Sequence, residues 1–397
     1  MKICGIIAEY DPFHNGHAYH IAKTKAAGAD AVVVVLGGEF TQRGEPAYCS
    51  KYFRTKCALL SGADLVIEMP LPYAVGSAEK FAEGGIRVFD ALGCVDMLSF
   101  GSESGDIEKI LRYAKLSDSE AFLNKVKEYQ KEGITAPAAR AKAISELCGE
   151  LSNISESPND VLGAEYCKWL LRLESKMTPF AVKRRGAAHD EIPVLKSGFA
   201  SASYLRGFTY PEDILPFLPN VEHELIMEEY NKGALPIRHG RYDTAALSRL
   251  RMMSEADLAK VPDAAAEGLY HRLYDAIRQS KDIAEVWNRT KTKRYTMSRI
   301  KRITAGAVLG LDSTVLKDAK LPYIHVLGMN ETGAKVLGMA EGLCPLPVST
   351  SLAELSETSE TARLFAEYES RAEDLWQLCL PVPGVCGKAF TEKVCKI

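Results

Sequence analysis

Gly5-Ile6-Ile7-Ala8-Glu9-Tyr10-Asp11-Pro12-Phe13-His14-Asn15-Gly16-His17 carries more architectural information than any other part of this chain. Its first half belongs to an apolar, β-compatible run over residues 3–8, the pattern of a buried strand. Its second half is polar, carries Pro12 and Gly16, and opens a segment, residues 17–28, that is predicted to be a helix with Gly28 near its C-terminal end. Strand, glycine-containing loop and helix in that order form the first unit of an α/β sheet.

The unit recurs downstream. Residues 31–36 are a Val-rich second strand stopped by Gly37-Gly38, and a helix follows across 51–61. A third strand over 64–69 ends at Pro70 and Pro72, and a helix near 77–92 precedes a fourth strand over 95–100, which ends in Gly101. Continuous apolar strands alternating with helices imply a parallel sheet covered on both faces. Ligands of such sheets sit beyond the carboxyl ends of the strands, where this sequence puts its polar and glycine-rich stretches at 9–17, 37–43 and 101–103.

Residues 106–150 are helical in pattern and charged, as an insertion would be, and 192–199 are expected to form the last strand of the domain. Residues 211–300 are again mainly helical in pattern. From 306 the pattern changes to a strand at 323–327, a helix at 331–340, a strand at 346–349 and a helix near 358–379. The fold class is therefore α/β. A Rossmann-like parallel-sheet domain over 1–210 carries a helical insertion at about 106–150, followed by a helical middle region over 211–305 and a small C-terminal α/β module over 306–397.

With 397 residues and 47% hydrophobic content the chain can build a sizeable core without disulfide or metal staples. Its ten cysteines are scattered singly with no CxxC pair, which removes support for a zinc or thioredoxin-like site and suits a reducing cytosol. The apolar run after Met1-Lys2 is too short for a signal peptide and no later run approaches a membrane span, so a cytoplasmic location with no membrane partner is expected. The net charge of -3 neither demands nor excludes nucleic acid.

The loop at 9–17 has the chemistry of an anion site. Free backbone N–H groups and the positive end of the helix dipole face it, and Gly16 lets a phosphate approach the backbone. His14 and His17, three residues apart, could donate to charge developing on a nucleotide's phosphates. The plainer alternative makes His14 a turn cap and His17 a half-buried surface residue. A metal site through His20 (HxxHxxH) is disfavoured, because the three rings drift around the helix and no carboxylate stands at suitable spacing. Lys183-Arg184-Arg185 offers guanidinium forks suited to phosphate, or a solvated basic turn.

Strand, Phe13-His14-Asn15-Gly16-His17, then helix resembles the HxGH signature of the HIGH-motif nucleotidyltransferase superfamily. Ser201-Ala202-Ser203-Tyr204-Leu205-Arg206 resembles its late Ser/Thr-rich helix start, where hydroxyls and an arginine one turn on bind phosphate. The resemblance narrows further. GIIAEYDPFHNGH, GGEFTQRGEPA at 37–47, DLVIEMP, SFGSE at 99–103, SPNDVLGAEY at 157–166, Lys183-Arg184, 186–190, 201–206 and 294–302 together are similar to the bacterial tRNA(Met) cytidine acetate ligase family. One departure is Ala188, where the family carries an aromatic before His189.

That resemblance implies an enzyme that activates acetate with ATP as acetyl-adenylate and acetylates the wobble cytidine of elongator tRNA(Met), giving 4-acetylcytidine, with Mg²⁺ on the phosphates. It implies an ATP site from Ile7, Ala8, Glu9, Tyr10, Asp11, Pro12, Phe13, His14, Asn15, Gly16, His17, Ala18, Tyr19 and His20, joined by Gly101, Asn159, Arg184, Ser201 and Arg206. His14, His17 and Arg184 would be the catalytic groups. No general base for the amine attack is identifiable in the sequence.

Arg289, Lys291, Lys293, Arg294, Arg299, Lys301 and Arg302 form a basic tract free of acids, with Tyr295 interleaved. Such a tract can pair with RNA phosphates while the aromatic stacks on a base, or can be a solvated helix face. Two other functions remain open at this level: a cofactor-pathway adenylyltransferase acting on a phosphorylated small molecule, against which the basic tract argues, and a non-catalytic RNA-binding protein, against which the intact histidine pair argues.

Overall fold

Five parallel strands form the centre of the molecule: β1 (Ile3–Ala8), β2 (Ala31–Gly37), β3 (Leu65–Met69), β4 (Met97–Ser102) and β5 (Thr178–Lys183), in spatial order β5-β4-β1-β2-β3. The structure is a computed structural model and describes residues 1–185 and 198–397. β2 is buried along its whole length, and β1 at every residue but the last, which explains their unbroken aliphatic sequence. The helices Asn15–Ala26 and Lys51–Leu60 cover one face, and Ala78–Leu92 packs on the other through Phe81, Ile86, Phe89 and Leu92. The chain runs from β1 outward through β2 and β3, then returns to place β4 on the opposite side of β1. The carboxyl ends of β1 and β4 are therefore the switch point where such sheets open a crevice.

The insertion after β4 contains the helices Ile107–Ser117, Glu120–Lys131 and Ala136–Cys148, and Pro158–Arg172 leads back to the sheet. Phe122, Tyr129, Ala139 and Ile144 join the core on that side of the sheet. β5 was not anticipated. It is an edge strand, half-exposed and carrying Pro179, features that weaken a strand signal. The strand expected at 192–199 falls almost wholly outside the described residues, as does 186–190.

The C-terminal segment shares the main sheet. β6 (Ile324–Met329) runs antiparallel to β3, and its other edge pairs with β7 (Val348–Ser349) and β8 (Cys395–Lys396). The middle region packs His239–Met252, Leu269–Gln279, Ile283–Thr290 and Met297–Leu309 around a second core with the long helix Glu360–Leu378, which contributes Tyr368, Ala372 and Trp376.

Glu360–Leu378 is also tied to the sheet by charge. Buried Lys51 lies 2.6 Å from Glu68 and 3.8 Å from Glu373, and His325 of β6 bonds Glu68 at 2.5 Å. Burial alone would raise Glu68, but Lys51 and His325 outweigh it and bring the carboxyl down to about 2. Among the described residues no helix is long and apolar enough to cross a membrane.

Candidate active site

At the switch point lies a cavity of about 390 Å³ between the carboxyl ends of β1 and β4. The first turn of Asn15–Ala26 forms one wall. His14 caps that helix, an uncommon choice for this position. Its Nδ1 accepts from the Gly16 amide at 3.0 Å, while the His17 Nδ1 accepts from the His14 amide at 3.3 Å. The rings stack at 3.7 Å with planes 20° apart.

This reciprocal capping determines the chemistry. Each Nδ1 is occupied by a backbone donor, so each neutral ring carries its proton on Nε2. The rings remain neutral. Burial, then the charges of Arg184 and Arg206, lowers His14 to about 3. Burial, then His14 and Arg184, holds His17 well below the ordinary imidazole value. The pair presents two fixed N–H donors without positive charge. Gly16 makes it possible: a Cβ there would stand 2.8 Å from the His14 Cε1 and 2.9 Å from its Nδ1.

His20 lines the next turn, with Nε2 2.8 Å from the Ser99 hydroxyl. Burial and Arg184 lower it to about 4. The facing wall is built on β4 and β5. Pairing of Gly101 with Val182 sets Arg184 just past the end of β5, its Cγ 3.6 Å from where a Cβ on Gly101 would be. Glu103 accepts from the Asn159 side-chain amide at 2.5 Å, and the Asn159 oxygen accepts from Arg184 at 3.3 Å. Asn159 thus orients Arg184, besides standing at a helix start. Ser201 caps Ala202–Leu205 by accepting from the Tyr204 amide at 3.2 Å, and Arg206 donates to the Asp11 carbonyl at 2.7 Å.

The floor is held by Arg54, which is fully buried and donates to the carbonyls of Glu9, Gly37, Gly38 and Cys49 at 2.6–3.1 Å. One guanidinium therefore locks the loops after β1 and β2 together.

Of the residues expected at the site, Ile7 to Asp11, His14, Gly16, His17, Tyr19, His20, Gly101, Asn159, Arg184, Ser201 and Arg206 line the cavity. Pro12, Phe13, Asn15 and Ala18 do not. Phe13 is core, packed edge-on against Tyr10 at 4.7 Å. Asn15 turns away and donates to the Gly198 carbonyl at 2.9 Å. The cavity also recruits Gln42, Arg43, Phe81, Leu162, Tyr166 and Arg185. Gln42 and Arg43 belong to the polar stretch after β2 and Arg185 to the basic triplet; Leu162 and Tyr166 lie in the family-like segment 157–166, whereas nothing in the sequence distinguishes Phe81 from a core residue.

The basic tract is divided. Lys293 and Arg294 are exposed. Arg289 pairs with Glu285 at 2.8 Å, Lys301 with Glu45 at 3.0 Å, Lys291 donates to the Tyr295 carbonyl at 2.8 Å, and Arg299 donates to the Asp263 carbonyl at 3.0 Å. Arg302 is half-buried. Tyr295 corrects an expectation: it is 6% exposed and packs in the second core, so its ring is not available for base stacking.

Residues 1–386 match the family model described as HIGH Nucleotidyl Transferase. The tRNA(Met) cytidine acetate ligase of Thermoanaerobacter sp. (strain X514) is 35% identical over 406 aligned residues covering 100% of both chains. That of Caldicellulosiruptor saccharolyticus is 41% identical over 345 residues, covering 85% of this chain and 84% of its own. Thermotoga maritima TmcAL, solved bound with alpha-thio ATP, superposes with a TM-score of 0.90 at 29% identity across 100% of both chains, and its apo form with a TM-score of 0.92.

Proposed function

This chain belongs to the HIGH nucleotidyl transferases and, among them, to the tRNA(Met) cytidine acetate ligases, and from that membership we propose that it activates acetate with ATP and acetylates the wobble cytidine of elongator tRNA(Met). The observation that carries the activation step is the stacked, neutral His14–His17 pair, whose two Nε2–H donors belong to rings lining the crevice.

Acetate attacks the α-phosphorus of ATP, forming acetyl-adenylate and releasing pyrophosphate. Phosphorus chemistry of this kind needs positioning and charge neutralisation more than covalent participation by the protein. His14 and His17 would donate to oxygens that gain charge in the transition state, in a buried setting where such donors are worth most. Arg184, oriented by Asn159 and Glu103, would neutralise the phosphates with a bidentate fork. Mg²⁺ would be carried on the phosphates. Among the described residues no group of three His, Cys, Asp or Glu converges to cage a metal.

The cytidine amine then attacks the acetyl carbonyl and AMP leaves. The domain roles follow. Residues 1–210 carry the chemistry, the helical region 211–305 faces tRNA with Lys293 and Arg294 in the lead, and 306–397 buttress the sheet. A cytoplasmic location accords with a tRNA substrate.

Acetate-dependent exchange of pyrophosphate into ATP tests the activation step. Exchange that needs acetate and no phosphorylated acceptor supports it. Exchange seen only with a phosphorylated metabolite would replace it with a cofactor-pathway adenylyltransferase.

A further inference from the structure

Acetyl transfer needs a proton acceptor. When the cytidine nitrogen lone pair forms the C–N bond, the bond from the acetyl carbon to the adenylate oxygen breaks, AMP leaves with that electron pair, and one N–H proton must go to a base. We propose that the Glu9 carboxylate is that base. The assignment rests on the ligase reaction proposed above and adds a named residue to it.

Five groups lining the cavity could take a proton: Glu9, Asp11, His14, His17 and His20. The histidine pair is excluded by its own geometry, because both Nδ1 atoms accept backbone amides and both Nε2 atoms already carry protons. Asp11 is enclosed: Oδ1 accepts from the Tyr48 amide at 2.6 Å, and Oδ2 is buried without a hydrogen-bond partner among the described residues, 3.6 Å from Arg206. The His20 network can be solved proton by proton. Thr24 donates its hydroxyl to the His20 carbonyl at 3.0 Å, so it accepts from Ser99, and Ser99 in turn accepts from the His20 Nε2–H. His20 retains a lone pair on Nδ1, but protonating it would add a cation beside Arg184.

Glu9 is the more accessible carboxylate, half-buried where Asp11 is buried. Its backbone carbonyl is clamped by Arg54 at 2.6 Å and its Oε1 accepts from the Gln42 amide at 2.6 Å. Among the described residues that amide is the one hydrogen-bond donor to its carboxylate, so capacity remains at the cavity. The groups facing it are Asp11 on its own loop, Arg43 after β2, Arg206 beyond Ala202–Leu205, Arg54 from below and Tyr166 on Pro158–Arg172. Burial, opposed by the Gln42 amide, and reinforced by Asp11 against Arg206 and Arg43, leaves its pKa raised. A carboxylate shifted in that direction is better matched to neutral-pH base catalysis than an ordinary one.

Its position suits the incoming base. Gln42 lies in the loop that also carries Gly44, and Gly44 is pressed on the backbone of Lys301 and Arg302, where a Cβ would meet the chain at 2.5–2.6 Å. Lys301 and Glu45 close the same contact at 3.0 Å. Glu9 is therefore bonded to the loop that packs on the helical region proposed above to face tRNA.

Glu9→Gln keeps an oxygen for the Gln42 amide and removes the base. Single-turnover transfer from preformed acetyl-adenylate to tRNA should fall about 10²–10⁴-fold, at least about tenfold more than acetate-dependent exchange in the same preparation. The wild-type transfer rate should rise with pH along a limb that levels as Glu9 ionises, and the variant should lack that limb. Glu9→Asp, which keeps the base, should recover part of the transfer rate and the limb. Equal losses in the two half-reactions, or a limb that persists in Glu9→Gln, would overturn the assignment while leaving the ligase reaction standing. A wild-type protein that neither exchanges with acetate nor acetylates tRNA would overturn both.

Discussion

Gly16→Ala tests the histidine pair through a cavity-lining residue that has no side chain of its own. Gly16 sits in the first turn of Asn15–Ala26 and its φ lies outside the left-handed region, so helix propensity alone predicts that alanine stabilises the protein by about 1 kcal/mol. The structure predicts the opposite. The new Cβ would stand 2.8 Å from the His14 ring, closer than real carbon contacts, and that ring is held by its bond from the Gly16 amide and its stack on His17. It must leave its rotamer, at about 0.5–1.5 kcal/mol, and release the Gly16 amide, with a lost cap costing about 1 kcal/mol. Net stability should fall by roughly 0.5–1.5 kcal/mol once the propensity gain is subtracted. The larger effect falls on catalysis. Moving His14 displaces one preorganised donor, worth about 10²–10³ in rate. Acetate-dependent exchange and urea unfolding on the same sample measure both quantities. A Gly16→Ala protein that is more stable than wild type and exchanges within a few-fold of it would refute the stacked-pair mechanism.

Other outcomes follow from buried charge. In the unfolded chain His14 and His20 take up protons near pH 6.5, whereas folding depresses them to about 3 and about 4, so stability contributed by these sites is lost as pH falls through that window. His20→Asn should reduce the slope of the urea midpoint against pH between 6.5 and 4, with the remaining groups common to both proteins. Lys51→Met leaves Glu373 without its cation and Glu68 with His325 alone, and should cost about 3–5 kcal/mol in urea unfolding. Replacing exposed Lys293 and Arg294 with glutamine should weaken tRNA binding and lower the slope of log K against log salt by about 1–2.

Much of the fold was legible because burial on both faces forces a simple code. β1 and β2 are unbroken apolar runs, β3 and β4 are apolar runs interrupted by Glu68 and Ser99, and the loops at their carboxyl ends supply part of the cavity. β5 escaped because an exposed edge strand with Pro179 has no such run, although it positions Arg184. The sharing of the sheet by β6 is a long-range pairing that no local pattern reports. His14 and His17 stood out as a pair, but their mutual capping, which sets both tautomers, depends on ring geometry. Tyr295 misled because an aromatic among cations has the same spelling whether it faces RNA or a core.

The ligase function itself is tested by transfer of labelled acetate. Purified protein, ATP and radiolabelled acetate are incubated with unmodified elongator tRNA(Met) and, in parallel, with the same tRNA whose wobble cytidine is replaced. Label on the first RNA alone, recovered as 4-acetylcytidine, is the predicted result. Label on both RNAs, or on neither while ATP is consumed with a phosphorylated metabolite, would contradict it.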